Sequence, residues 1–193
     1  MLTKKIAVLF SGGGSNLEAI LERLHGKVFG ETKIEVALTL TNKANAGGIA
    51  KAAKYGLKSV VIEHVNFASR EEFDAAVVEE IKRANVDLTV LAGFMRILTP
   101  VFTSQVRAIN LHPSLLPLFK GAHAIKESFD SDMKVGGVSV HWVSEELDGG
   151  KIIAQRAFEK SAGISFEEFE AKIHAIEHEI LPETIVQILT GKE

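Results

Sequence analysis

Lys5-Ile6-Ala7-Val8-Leu9-Phe10-Ser11-Gly12-Gly13-Gly14-Ser15-Asn16 is the stretch that decides how this chain folds. After the lysine comes a continuous apolar run, too short for a helix and apolar on both faces, which a strand covered from both sides requires. Three glycines follow, and then Leu17, Ile20, Leu21 and Leu24 recur at helical spacing. Strand, glycine loop and helix in that order predict the opening unit of a parallel sheet.

The same alternation continues outward. A strand is expected over 34–41, a helix over 48–55 closed by Gly56, and a strand over 59–62. Ser69-Arg70-Glu71-Glu72 reads as a capping box opening a helix whose buried face carries Phe73, Val77, Val78 and Ile81. Leu88-Thr89-Val90-Leu91-Ala92 is a further buried strand closed by Gly93, and Thr99-Pro100 starts a short helix reaching about Val106. Residues 108–112 form the next strand, which Pro113 ends.

Beyond Pro117 the texture changes. A loop over 121–124, a short helix over 125–129, and strands over 138–143 and 151–158 joined by a turn at 145–150 predict an antiparallel edge. Ser165-Phe166-Glu167-Glu168 is a second capping box, and Phe166, Phe169, Ile173, Ile176 and Ile180 form the core stripe of a last long helix that Pro182 is expected to interrupt. The predicted fold is α/β: a doubly wound, mainly parallel sheet with helices on both faces and an antiparallel C-terminal edge, as one domain over 1–193.

Composition narrows the chemistry. The chain has 193 residues, 46% hydrophobic and 24% charged, with a formal net charge of -3, so no basic stripe is expected for a nucleic acid. There are no cysteines, which removes disulfides, thiolate metal sites and a cysteine nucleophile together. The apolar runs are strand-length, and the segment after Lys4-Lys5 lacks the length of a signal peptide, so a cytoplasmic protein without membrane contact is expected.

The chemistry concentrates in Ile109-Asn110-Leu111-His112-Pro113-Ser114-Leu115-Leu116-Pro117. Asn110 and His112 stand two apart on a strand and point to the same face, where the strand opens into a loop. An amide donor beside a titratable imidazole suits a carbonyl whose oxygen gains negative charge, which is acyl-transfer equipment. Leu147-Asp148-Gly149-Gly150 adds a carboxylate on a turn, although Asp-Gly is also an ordinary turn dipeptide. His123 and His141 are supporting residues beside this centre.

The glycine loop carries the second signal. Close backbone approach and free amides at a helix start attract an anion, and Ser15 and Asn16 add side-chain donors. No lysine follows the last glycine, and Leu17 occupies the third place of the dinucleotide pattern, so a mononucleotide or sugar phosphate is favoured. His174-Ala175-Ile176-Glu177-His178 matches the H-x-x-E-H spacing of some zinc peptidases, but it falls on a helix that already has a core stripe, and no metal is expected. Without a G-x-S-x-G elbow or a cysteine, direct transfer between two bound substrates is simpler than a covalent acyl-enzyme.

Taken together, Ser11 to Asn16, Asn42-Lys43-Ala44, the segment from Leu91 to Leu98, Asn110 to Pro117, and Glu146-Leu147-Asp148-Gly149-Gly150 resemble the folate-dependent formyltransferases over nearly the whole chain. The glycine loop resembles the branch that formylates glycinamide ribonucleotide in purine biosynthesis; Gly13 stands where relatives often have a larger polar residue. The resemblance implies catalytic roles for Asn110, His112 and Asp148. It implies that Gly14, Ser15 and Asn16 bind the substrate phosphate and Glu177 the ribose. It further implies that Arg70, Met95, Arg96, Ile97 and Leu98, with Glu146 and Leu147, hold 10-formyltetrahydrofolate as co-substrate. A monomer or homodimer acting on small molecules is expected.

Three rivals follow. A formyltetrahydrofolate hydrolase would use water in place of the amine and is expected to carry an extra N-terminal domain. A methionyl-tRNA formyltransferase would need a C-terminal RNA-binding domain and positive charge. A non-catalytic phosphate-binding module would leave Asn110 and His112 unexplained.

Overall fold

Strand-forming apolar runs and amphipathic helices alternate along residues 1–191, the part that the computed structural model describes. In chain order they are β1 (Leu2–Phe10), α1 (Ser15–Leu24), β2 (Val28–Phe29), β3 (Thr32–Thr41), α2 (Gly48–Lys54), β4 (Val60–Val61) and α3 (Arg70–Ala84). Then come β5 (Leu88–Leu91), α4 (Pro100–Thr103), β6 (Ala108–His112), α5 (Ala124–Asp130), β7 (Val135–Trp142), β8 (Ile152–Glu159) and α6 (Phe166–Thr190).

The strands form one eight-stranded sheet in the order β2-β3-β1-β5-β6-β7-β8, with β4 also beside β3. The pairs β3–β1, β1–β5 and β5–β6 are parallel, and β6–β7 and β7–β8 are antiparallel. The expected parallel sheet with an antiparallel C-terminal edge is the one observed. β1 shows why both its faces are apolar: Ile6, Val8 and Phe10 join a core with Leu17, Ile20 and Ile180, while Ala7 and Leu9 join a second core with Phe73, Val77 and Phe102. Helices therefore cover the sheet on both sides.

Two local expectations are corrected. Pro182 does not interrupt the last helix, which runs through it from Phe166 to Thr190. A proline inside a helix costs ~3 kcal/mol, but Leu181, Ile185, Ile188 and Leu189 around it are all buried, and each such side chain contributes ~1.5–3 kcal/mol. Burial wins over the missing hydrogen bond. At α3 only half of the capping box forms: Ser69 Oγ accepts the Glu72 amide, while the Glu72 carboxylate takes the amide of Ala68 rather than that of Ser69. The box at Ser165 and Glu168 is complete.

Candidate active site

Parallel strands deliver their carboxyl ends to one side of the sheet, and the loops leaving β1, β5 and β6 border a cleft of about 520 Å³ there. Asn110 and His112 leave β6 on the same side, as their spacing predicts, and both line the cleft. The antiparallel register of β6 and β7 sets Asn110 directly opposite His141, so cross-strand neighbours meet: Asn110 Nδ2 lies 3.1 Å from His141 Nε2. His141 Nδ1 lies 2.9 Å from the Trp142 carbonyl, to which it donates. Nε2 is thereby turned toward the Asn110 amide.

Asp148 closes this centre. Its backbone holds a positive φ of 51°, a left-handed conformation that aspartate tolerates better than most residues. The following glycines are required by close approach: a Cβ on Gly150 would stand 1.7 Å from the Trp142 carbonyl oxygen. The turn aims the carboxylate inward, so the reading of Asp148 as a mere turn residue fails. Oδ1 accepts from Asn110 Nδ2 at 3.4 Å and lies 3.7 Å from His141 Nε2, while Oδ2 accepts the Gly121 amide at 2.8 Å and lies 3.5 Å from His112 Nδ1. Burial pushes the Asp148 carboxyl up, but the His141 ring, the Gly121 amide and the His112 imidazole outweigh it and hold it below the ordinary carboxylate range. His112 Nε2 donates to the Phe119 carbonyl at 2.7 Å. Asn110, His141, Asp148 and, through the 3.5 Å contact to Asp148, His112 are thus one polar cluster.

Asn16, His174 and Glu177 line the other end of the cleft, where the glycine loop leads into α1. Gly14 adopts φ +72° as N-cap of α1, and a Cβ there would stand 2.6 Å from the Gly48 Cα. Glycine is required on both sides of that contact, because a Cβ on Gly48 would enter the Phe10 ring at 2.4 Å. Ser15 and Asn16 begin α1, where amides are free. Asn16 Nδ2 donates to Glu177 Oε2 at 3.3 Å, and the same oxygen lies 2.8 Å from His174 Nδ1. The bond to Glu177 raises the His174 pKa against the opposing effect of burial. The buried Asn16 Oδ1 and His178 Nε2 have no partner among the described residues. Glu177 Oε2 thus serves both Asn16 and His174, and no group of three His, Cys, Asp or Glu among the described residues is placed to hold a metal ion.

Met95, Arg96, Ile97, Leu98, Glu146 and Leu147 line the cleft between these ends. Met95, Ile97 and Leu147 are 59%, 56% and 50% exposed, an unusual cost for apolar side chains unless something covers them. Arg70, at the first turn of α3, and His123, the N-cap of α5, are exposed and do not line the cleft. The sequence reading missed the Gly121 amide and the Phe119 carbonyl, which carry no side-chain signal, and His174, which the zinc-like spacing disguised.

A doubly wound, Rossmann-like sheet with an amide–imidazole–carboxylate cluster at its strand ends and an anion-attracting loop beside it defines the class. Within that class the chain belongs to the formyl transferase family, whose model matches residues 4–185. It is similar to the crystal structure of phosphoribosylglycinamide formyltransferase from Campylobacter jejuni, with a TM-score of 0.96 and 65% identity over 97% of this chain and 98% of that one. It is 38% identical to phosphoribosylglycinamide formyltransferase of Escherichia coli over 97% of this chain and 88% of that protein. It is also 40% identical to the trifunctional purine biosynthetic protein adenosine-3 of Drosophila pseudoobscura over 97% of this chain, which spans only 14% of that longer protein.

Proposed function

We propose that the chain transfers the formyl group of 10-formyltetrahydrofolate to the amine of glycinamide ribonucleotide, a step of purine biosynthesis. One observation carries the reading: the Asn110–His112–Asp148 cluster and the Asn16–Glu177 pair border the same cleft. A formyl donor and a phosphate-anchored amine held at those two places would meet over the cluster.

Gly14, Ser15 and Asn16 hold the substrate phosphate at the start of α1, and Glu177 holds the ribose. The apolar side chains of Met95, Ile97, Leu98 and Leu147 face the folate, with Arg96 and Glu146 beside them and Arg70 outside the cleft toward the far end of that substrate. These exposed apolar groups fit a flat, largely apolar substrate. The amine attacks the formyl carbon, and charge builds on the formyl oxygen. Asn110 and His112 donate to that oxygen, His112 giving up its bond to the Phe119 carbonyl to do so, each donor being worth ~3 to 4 kcal/mol of barrier. In the present arrangement the Asn110 amide hydrogens face His141 and Asp148, so Asn110 turns one of them to substrate. Asp148 faces the His112 ring and helps pass the proton from the attacking amine to the departing folate nitrogen.

The protein works as one catalytic unit over 1–193, in the cytoplasm, as a monomer or homodimer, with small molecules as its partners. Among the described residues no helix is long and apolar enough to cross a membrane. The test is an absorbance assay of folate deformylation with and without glycinamide ribonucleotide. Turnover that requires the amine is expected; turnover that persists without it would make the protein a hydrolase.

A further inference from the structure

The wall carrying Met95 and Ile97 has no regular structure: residues 93–99 lie between β5 and α4 as an irregular strap. Nothing in a helix or sheet ladder holds its exposed apolar side chains in the cleft. Two buried polar attachments do so at its two ends. At the first end, the Met95 amide donates to Ser11 Oγ at 2.8 Å, and Ser11 Oγ donates to Asn42 Oδ1 at 2.5 Å. Asn42 Nδ2 lies 3.2 Å from His64 Nδ1, and Ser11 and Asn42 are each only 2% exposed. Because the Asn42 amide and Ser11 hydroxyl each use their hydrogen in one direction, the relay is polarised from the strap amide to the histidine lone pair. At the second end, Asp74 Oδ2 accepts both the Thr99 amide, at 2.6 Å, and the Thr99 hydroxyl, at 2.7 Å. Between them Arg96 lies over the Phe73 ring, 5.4 Å from its centroid.

A buried carboxylate and a buried amide are costly unless they hold something in place. We propose that Ser11–Asn42 and Asp74 are positioning residues that fix the strap 93–99 from both ends, so that the folate-facing wall is set before the substrate arrives. The inference rests on the reading of that wall as the folate site. A wall fixed beforehand spares the substrate the ordering of a mobile loop. Asp74 has no bond to the glycine loop or the Asp148 cluster, and Ser11, which opens that loop, directs its hydroxyl to Met95 and Asn42 rather than to the Gly14–Asn16 end, so their loss falls on one substrate.

The test uses the full chain with Ser11→Ala, Asp74→Ala and the conservative Asp74→Asn, which retains one oxygen acceptor. Ser11→Ala and Asp74→Ala are each expected to raise KM for the formyl folate about tenfold, with kcat and KM for the amine substrate within about twofold; Asp74→Asn recovers most of the loss. Amide exchange over 93–99 should quicken in the two alanine variants and nowhere else. A cooperatively folded variant with unchanged folate KM and unchanged exchange, or an equal rise in both KM values, overturns the proposal. If Asp74→Ala does not fold, Thr99→Val removes one of the two bonds and is read by the same measures. Should the wild type not turn over formyl folate at all, the functional reading fails, and the exchange data still judge the tethers.

Discussion

The two ends of the cleft are built on opposite principles. At the β6–β7 end the polar side chains satisfy one another: Asn110, His112, His141 and Asp148 sit within 3.1 to 3.7 Å of their partners on neighbouring strand positions and one tight turn. At the α1 end the loop is nearly bare backbone, and buried polar atoms of Asn16 and His178 have no partner among the described residues. The contrast teaches what each end is for. A cluster already paired is set for reacting and must trade an internal bond for the substrate, whereas an end with free backbone amides at a helix start gains by binding and changes little in the reaction.

Breaking the first end should have the largest effect. Asp148→Asn keeps a residue that tolerates the positive φ and removes only the charge. It is expected to lower kcat roughly 10²- to 10⁴-fold, the range of lost proton-transfer catalysis, with KM for both substrates within about threefold in steady-state assays. Unchanged turnover would remove Asp148 from the mechanism. The depressed Asp148 pKa also gives a pH sign. Its stabilising contribution is present above the unfolded value of ~3.9 and is lost as pH falls through the lower folded value.

Breaking the second end should act on binding and stability instead. Gly48→Ala would push a methyl into the Phe10 ring behind the glycine loop, an overpacking that costs ~1–3 kcal/mol. At this chain length ~2 kcal/mol corresponds to a Tm about 4–8 °C lower, and KM for the phosphate substrate should rise while KM for the folate stays put. An unchanged melting point would show that the loop gives way without resistance.

The same contrast explains what was legible beforehand. The Asn110–His112 end could be read because period-two spacing puts both on one strand face, and nothing distant was needed. The close turn before α1 could be read because three glycines before a helical stripe mark a backbone that packs tightly, as Gly14 does on Gly48. What escaped was non-local. That Asp148 reaches His112, which only the family resemblance implied, depends on a positive φ at a turn, and that Asn110 meets His141 depends on a β6–β7 register that no single strand's pattern specifies. The proline rule failed at Pro182 because a local penalty was set against burial that only the folded α6 reveals. The strap tethers likewise join Ser11 to Met95 and Asp74 to Thr99 across gaps of 84 and 25 residues.

The smallest effect concerns His174, where the binding end borrows a charge. His174 is half-buried, and Glu177 raises its pKa, with Glu170 on the same helix adding in the same direction. A raised histidine stabilises the fold fully below its unfolded pKa of ~6.5, and the contribution fades as pH rises through the higher folded value. His174→Gln keeps a side chain able to bond Glu177 but carries no charge. The wild type should therefore exceed the variant by a few tenths to ~1 kcal/mol in denaturant unfolding at low pH, the range for partly exposed ion pairs. The gap should close as pH rises above neutrality. A gap that instead widens with pH would mean that Glu177 is served better by the neutral ring, and that the charge at this end comes from elsewhere.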